Sequence, residues 1–108
     1  MRRLKEKFNL KGTEFTQLHK DDRLVIYHTT FPSVEVFEYR TGNPFKVNNY
    51  ESEEFERYPK SEAFGSWAWC ATSIPQFKRI LDDHFIDHPQ IHDIYSRVQA
   101  ILREKGFR

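Results

Sequence analysis

One cysteine, one methionine and four glycines stand in a chain of 108 residues. With Cys70 alone no internal disulfide can form, and the expected setting is a reducing cytoplasm. No apolar run approaches the ~20 residues that cross a bilayer, so no membrane association is expected. The opening MRRLKEKFNLKG carries charge without an apolar stretch behind it, and does not read as a secretory signal. A phosphate-binding glycine loop, a dinucleotide fingerprint and a nucleophile elbow are all missing. Net charge is only +1, which removes any global electrostatic case for nucleic acid.

What the chain has instead is aromatic rings. Ten Phe, five Tyr and two Trp make 16% of the residues, against 38% for all apolar types together. Aromatic side chains must therefore build much of the core. The length fits one domain, 1–108, able to fold without metal or disulfide. Charge is uneven along it. Residues 1–12 carry net +4, residues 97–108 carry +3 and the body carries −6. The first twelve residues read as a loose basic arm or a helical turn.

Residues 14–20, 23–31 and 33–41 alternate or run apolar in the manner of strands, separated by Asp21-Asp22 and by Phe31-Pro32-Ser33. The run Leu24-Val25-Ile26-Tyr27 has no polar face, which predicts a central strand covered on both sides. Residues 43–59 form a long polar connection studded with Phe45, Val47, Tyr50, Phe55 and Tyr58, and connections this long are often functional. A short turn at 61–64, ended by Gly65, precedes a strand over 66–72 that would place Trp67 and Trp69 on one face. Ser73-Ile74-Pro75-Gln76 has the Ser-x-x-Gln of a capping box with a proline in the first turn, so a helix begins at Ser73. A last helix, capped by Asp87 or His88 with Pro89 in its first turn, carries Ile91, Ile94, Tyr95, Val98, Ile101 and Leu102 at helical spacing and ends at Gly106. The expected fold is α+β, an antiparallel sheet of about four strands (a three-strand meander plus one) with two C-terminal helices packed on one face.

Few patterns suggest chemistry. His84, His88 and His92 are four apart among aspartates, a donor set that suits zinc. Pro89 breaks that spacing and leaves at most His84 and His88 together, as a lesser alternative to no metal at all. Cys70 lacks the surroundings of a catalytic thiol. The chain is read as no enzyme, with no cofactor. Arg with Tyr, Phe and Trp is the composition of interface anchors. The binding residues expected are Arg40, Tyr50, Phe55, Arg57, Tyr58 and Trp69.

The pattern R-Y-P-x-x-E-x-F-G-x-W-A-W-C over residues 57–70, with the strand V-E-V-F-E-Y-R upstream, resembles small uncharacterised proteins of bacterial phages and mobile elements. The likeness spans residues 15–86. It implies an accessory product of the bacterial cytosol that binds a host component, and it carries over no functional residue. The leading expectation is thus a non-enzymatic interaction protein with a host protein as partner. Binding of a nucleotide or nucleic acid by the basic ends and an aromatic platform is the alternative. A metal-dependent activity at His84 and His88 is a third reading, and a homodimer is compatible with all three.

Overall fold

The computed structural model describes residues 1–42, 46–47, 50–51 and 54–108, and of residues 46–47 and 50–51 only the backbone. Five strands form the main antiparallel sheet: β1 (Lys7–Leu10), β2 (Thr13–Lys20), β3 (Leu24–Thr29), β4 (Ser33–Glu38) and β9 (Ala68–Ala71), in the order β1-β2-β3-β4-β9. Two-residue strands β5 (Thr41–Gly42) and β8 (Phe55–Glu56) pair with each other, as do β6 (Lys46–Val47) and β7 (Tyr50–Glu51). Helices α1 (Ile74–His84) and α2 (Ile91–Glu104) close the chain. The α+β class, the meander and the C-terminal helices are as the sequence predicts, and β3 is the middle strand, buried at every residue.

The first strand is a correction. Residues 1–12 are no loose arm, because Lys7–Leu10 pairs with β2 across the two-residue turn Lys11-Gly12. Both turn residues have positive φ, 52° and 86°, the geometry whose twist matches a hairpin. Asn9 Oδ1 accepts the Gly12 N–H at 3.0 Å.

Two cores lie on the two faces of the sheet. On one face Leu24, Ile26, Val34, Val36 and Ala71 meet Phe77, Leu81, Ile94, Val98 and Leu102 of the helices. On the other, Val25, Tyr27, Phe37 and Phe15 meet Phe8, Tyr58, Ala63 and Trp67. Here Tyr58 stands edge-on to Phe8, Phe15, Tyr27 and Phe37, with ring centroids 5.6 to 6.2 Å apart. Edge-to-face packing of this kind suits the ring quadrupoles. The segment 54–67 therefore acts as a lid of aromatic rings where a second helical layer would otherwise be needed.

The tryptophans fall on opposite faces, contrary to the reading that put them together. The strand begins at Ala68. Before it the chain curls, with Trp67 N–H donating to Ala63 O at 3.0 Å and Gly65 (φ 94°) N–H donating to Ala68 O at 2.7 Å. Trp67 leaves the pleat and joins the aromatic core, only 7% exposed. Trp69 stays in the pleat, packs toward the helices and is half-buried.

Helix α1 starts as expected. The Ser73 hydroxyl accepts the Gln76 N–H at 3.3 Å, while Gln76 Oε1 accepts from Thr72 N–H at 2.8 Å. Helix α2 starts later than expected, with Gln90 rather than Asp87 or His88 at the cap, so Pro89 lies outside it. It ends in a Schellman motif. Phe107 N–H reaches Leu102 O, Gly106 N–H reaches Arg103 O, and Gly106 has φ 94°. Leu102→Ala should cost about 2–5 kcal/mol through lost burial and a cavity. Gly106→Ala should cost about 1–2 kcal/mol through its left-handed backbone. Urea unfolding of both variants checks this; a cost below about 1 kcal/mol for Leu102→Ala would mean that α2 is not part of the packed core.

Candidate functional site

Four of the expected binding residues gather around one place, where β5, β8 and the chain start meet. The anchor is Glu56. Its carboxylate takes Lys20 Nζ at 2.7 and 3.0 Å, Tyr39 Oη at 2.7 Å and the Leu4 N–H at 2.8 Å. Burial pushes this carboxyl up, but the Lys20, Tyr39 and Leu4 bonds outweigh it and the net direction is down. The chain start is held alongside, with Arg2 N–H donating to Glu54 O at 3.0 Å and Glu56 N–H to Arg2 O at 2.8 Å. This sets the Arg2 guanidinium 5.6 Å from the Phe55 ring centroid. Gly42 is required opposite, since a Cβ there would collide with the Phe55 ring.

Arg57 N–H donates to Arg40 O at 2.8 Å, so two like charges face each other across neighbouring strands. What relieves them is Trp67. Arg40 lies 4.8 Å and Arg57 5.3 Å from its ring centroid. Cation–π contact of this kind is worth about 0.5–1 kcal/mol at exposed sites. Arg40 is also fixed by Glu38, at 2.8 Å. Beside the pair lies a hollow of about 520 Å³, lined by Arg2, Gly42, Phe55, Arg57, Tyr58 and Lys60 among others. Within the described residues Arg2, Arg57 and Lys60 make no ion pair, while the hollow's one described carboxylate, Glu56, is taken by Lys20.

Compared with known proteins, the chain matches no family model, no curated protein and no solved structure.

The other two expected residues, Tyr50 and Trp69, are not among these four. Tyr50 lies in β7, and its side chain is outside the described residues. Trp69 is on the helix face, its indole stacked on His84 at 3.8 Å and edge-on to Phe85. Tyr58 points inward, and its hydroxyl donates to Glu35. Burial pushes both the Glu35 carboxyl and the Tyr58 hydroxyl up, and their mutual bond raises the tyrosine further. Cys70 is accessible, yet partial burial pushes its thiol up as well, away from thiolate character.

The pair His84 and His88 is a further correction. The two do not meet, because α1 ends at His84 and the chain turns. His88 instead meets His19 and Asp21, and one donor atom from each lies within 4.8 Å of the others. Asp21 Oδ2 accepts from His19 Nε2 at 2.6 Å and from His88 Nε2 at 2.8 Å. The far ring nitrogens settle the tautomers: Arg97 Nη2 donates to His19 Nδ1 at 2.7 Å, and Gln90 N–H donates to His88 Nδ1 at 3.0 Å. A metal-bound imidazole needs an acceptor on its far nitrogen, and here both face donors. The donor types fit zinc, but the surrounding hydrogen bonds do not. The cluster is a hydrogen-bonded node, centred on the Asp21 carboxylate, that joins the β2–β3 turn to the α1–α2 connection.

Asp21 Oδ1 accepts the Arg23 and Leu24 N–H groups as well. Burial raises this carboxyl, but the bonds from His19, Arg23, His88 and Leu24 prevail and bring its pKa to about 2. A lowered carboxyl stabilises the fold fully above its unfolded value and loses that contribution as pH falls through the folded one. Asp21→Asn should therefore cost about 1 kcal/mol at pH 7, after allowance for solvent screening of a partly exposed group, and progressively less as pH falls toward 2. Urea midpoints at the two pH values test this; a pH-independent cost would show that the carboxylate charge is not what matters. Separately, His84→Ala should increase acrylamide quenching of Trp69 emission, since the stacked imidazole shields that indole. Unchanged quenching would mean that the stack does not persist in solution.

Proposed function

We propose that the protein is a non-enzymatic interaction protein that binds an acidic segment of a partner protein through Arg2, Arg40, Arg57 and Lys60. The observation that carries this reading is the seating of Arg40 and Arg57 over Trp67 beside the 520 Å³ hollow. A guanidinium stacked on a ring can still present in-plane N–H groups to a carboxylate with little side-chain entropy left to lose; Arg40 gives Nε and Nη2 to Glu38 and offers Nη1, so Arg57 is the principal contact. The same stacking speaks against the nucleotide alternative. Trp67 is nearly buried, and Arg2 lies over Phe55, so the rings that would stack on bases already have cationic neighbours.

The non-catalytic reading has its own support. The Cys70 thiol is pushed up, Glu35 is occupied by Tyr58, and the two imidazoles beside Asp21 have both nitrogens engaged. The resemblance to phage and mobile-element proteins adds a setting, the bacterial cytosol, and a partner of host origin. No helix among the described residues is long and apolar enough to cross a membrane, in keeping with such a setting.

Poly-L-glutamate, a single-stranded oligonucleotide and ATP serve as probes for the purified protein. Poly-L-glutamate should bind, with affinity falling as salt rises. Arg57→Ala should weaken it about tenfold, and Arg57→Lys by a comparable amount, because lysine keeps the charge and loses the planar fork. No binding at low salt, or binding indifferent to Arg40→Ala with Arg57→Ala, would refute the assignment. Tighter binding of the oligonucleotide than of poly-L-glutamate would transfer the site to the nucleic-acid reading.

A further inference from the structure

The chain beyond α2 does more than finish a helix. Phe107 N–H donates to Leu102 O at 3.0 Å and closes the Schellman turn. The Phe107 ring is 7% exposed and belongs to the core beneath the helices. Arg108 O accepts the Ile74 N–H at 2.9 Å, and so satisfies one of the orphan donors at the start of α1. Residues 105–108 thus tie the end of α2 to the beginning of α1.

Beneath this segment lies His28. Leu24, Ile26 and His28 share the face of β3 that looks toward the helices, and His28 is the one polar member. Its imidazole is 9% exposed and stands edge-on to the Phe107 ring, with centroids 5.7 Å apart. His19 and His88 each have the Asp21 carboxylate, but among the described residues no hydrogen bond or carboxylate acts on His28. Its neighbours in register, Thr16 of β2 and Val34 of β4, carry no charge. The charge that reaches it is that of Lys105, in the covering segment itself. The other charged side chain of that segment, Arg108, is also a cation.

We propose that residues 105–108 form an acid-released clasp, closed over a neutral His28 and opened when that imidazole takes a proton. An imidazolium kept under the closed clasp would have little water, no counter-charge and a lysine beside it. Opening returns the ring to solvent and carries the cation away. Burial, and then Lys105, accordingly hold His28 below the ordinary imidazole range. The closed clasp is therefore fully favoured above the ordinary imidazole value, about 6.5, and loses favour as pH falls from there through the lowered one. Opening would lift Phe107 out of the core and free the Ile74 N–H, at the joint between the two helices. The clasp is on the helix face of the sheet, whereas Arg40 and Arg57 lie over Trp67 on the aromatic face, so it works whatever the arginines bind.

Amide hydrogen exchange, read by NMR at about pH 7.5 and about pH 5, brackets the ordinary imidazole value. After correction for the intrinsic effect of pH on exchange, protection of the Ile74 and Phe107 N–H groups should fall several-fold at the lower pH. The Leu24 N–H, held by Asp21 in the sheet, should keep its protection and so reports on the whole fold. His28→Leu leaves an uncharged side chain in the site and should abolish the fall. Lys105→Ala changes an exposed position, so the fold is retained; it should raise the midpoint of the His28 Cε1–H titration and lessen the fall. Equal protection at both pH values, a loss shared equally by Leu24, the same loss in His28→Leu, or an unshifted midpoint in Lys105→Ala would overturn the proposal.

Discussion

The carboxylate of Asp21 is the constraint on which much of the molecule depends. Each of its oxygens accepts two hydrogen bonds. Oδ1 shapes the turn between β2 and β3 by holding two successive backbone N–H groups, the usual service of aspartate in a tight turn. Oδ2 reaches across the layers to His88, 67 positions away in sequence, and so fixes where the α1–α2 connection crosses the sheet. A helical pair is tied to a sheet by apolar packing, which is non-directional and tolerates sliding. A directional bond to a charged oxygen at one corner removes that freedom. Arg97, bound to His19 and to the Leu18 carbonyl at 3.1 Å, extends the same clamp to the middle of α2.

The two faces of the sheet solve the same problem by different means. One face is covered by regular helices with aliphatic stripes. The other is covered by irregular chain, which cannot satisfy its backbone polar groups by helical bonds. It uses side chains instead: Glu56, Tyr39 and Lys20 at one end, Tyr58 and Glu35 in the middle. Large aromatic rings suit this lid, because a few of them bury much area from an irregular backbone. That is why a chain with so few aliphatic residues can fill two cores. It is also why the arginines reach a tryptophan, since the lid presents its own edge to solvent.

Much of this architecture was legible in the residues. The unbroken apolar run at 24–27 announced a central strand, and Ser73 to Gln76 announced a helix start, because both rest on local rules. The first strand was hidden, since Phe8 and Leu10 alternate among charges; the usable signal was Lys11-Gly12, a dipeptide that accepts two positive φ values. The start of α2 was misplaced because Pro89 fits a first helical turn, whereas the His88 ring bonds the Gln90 N–H and forms a turn of its own. Tryptophan parity failed because Gly65 lets the chain curl immediately before the strand. The gathering of Arg40, Phe55, Arg57 and Tyr58 was foreseen as a composition. Arg2 and Lys60 were not, and neither was the joining of His19, Asp21 and His88. Those contacts join distant parts of the chain, and nothing local encodes them.

The pairing of Arg2 with Phe55 joins positions 53 apart, and Leu4 reaches Glu56 across 52. The meander β1 to β4, by contrast, grows by successive hairpins whose loops are short. Loop-closure entropy and topology then order the events of folding: local hairpins first, and the long return of residues 54–60 onto the chain start last. The arginine hollow is accordingly among the final parts to assemble and among the first to open. A ligand held there would act on the folding equilibrium itself, because it binds a geometry that exists only once the whole chain has closed. Occupancy of a surface site would in this way be felt as slower unravelling of the N-terminal strand, far from any contact with the ligand.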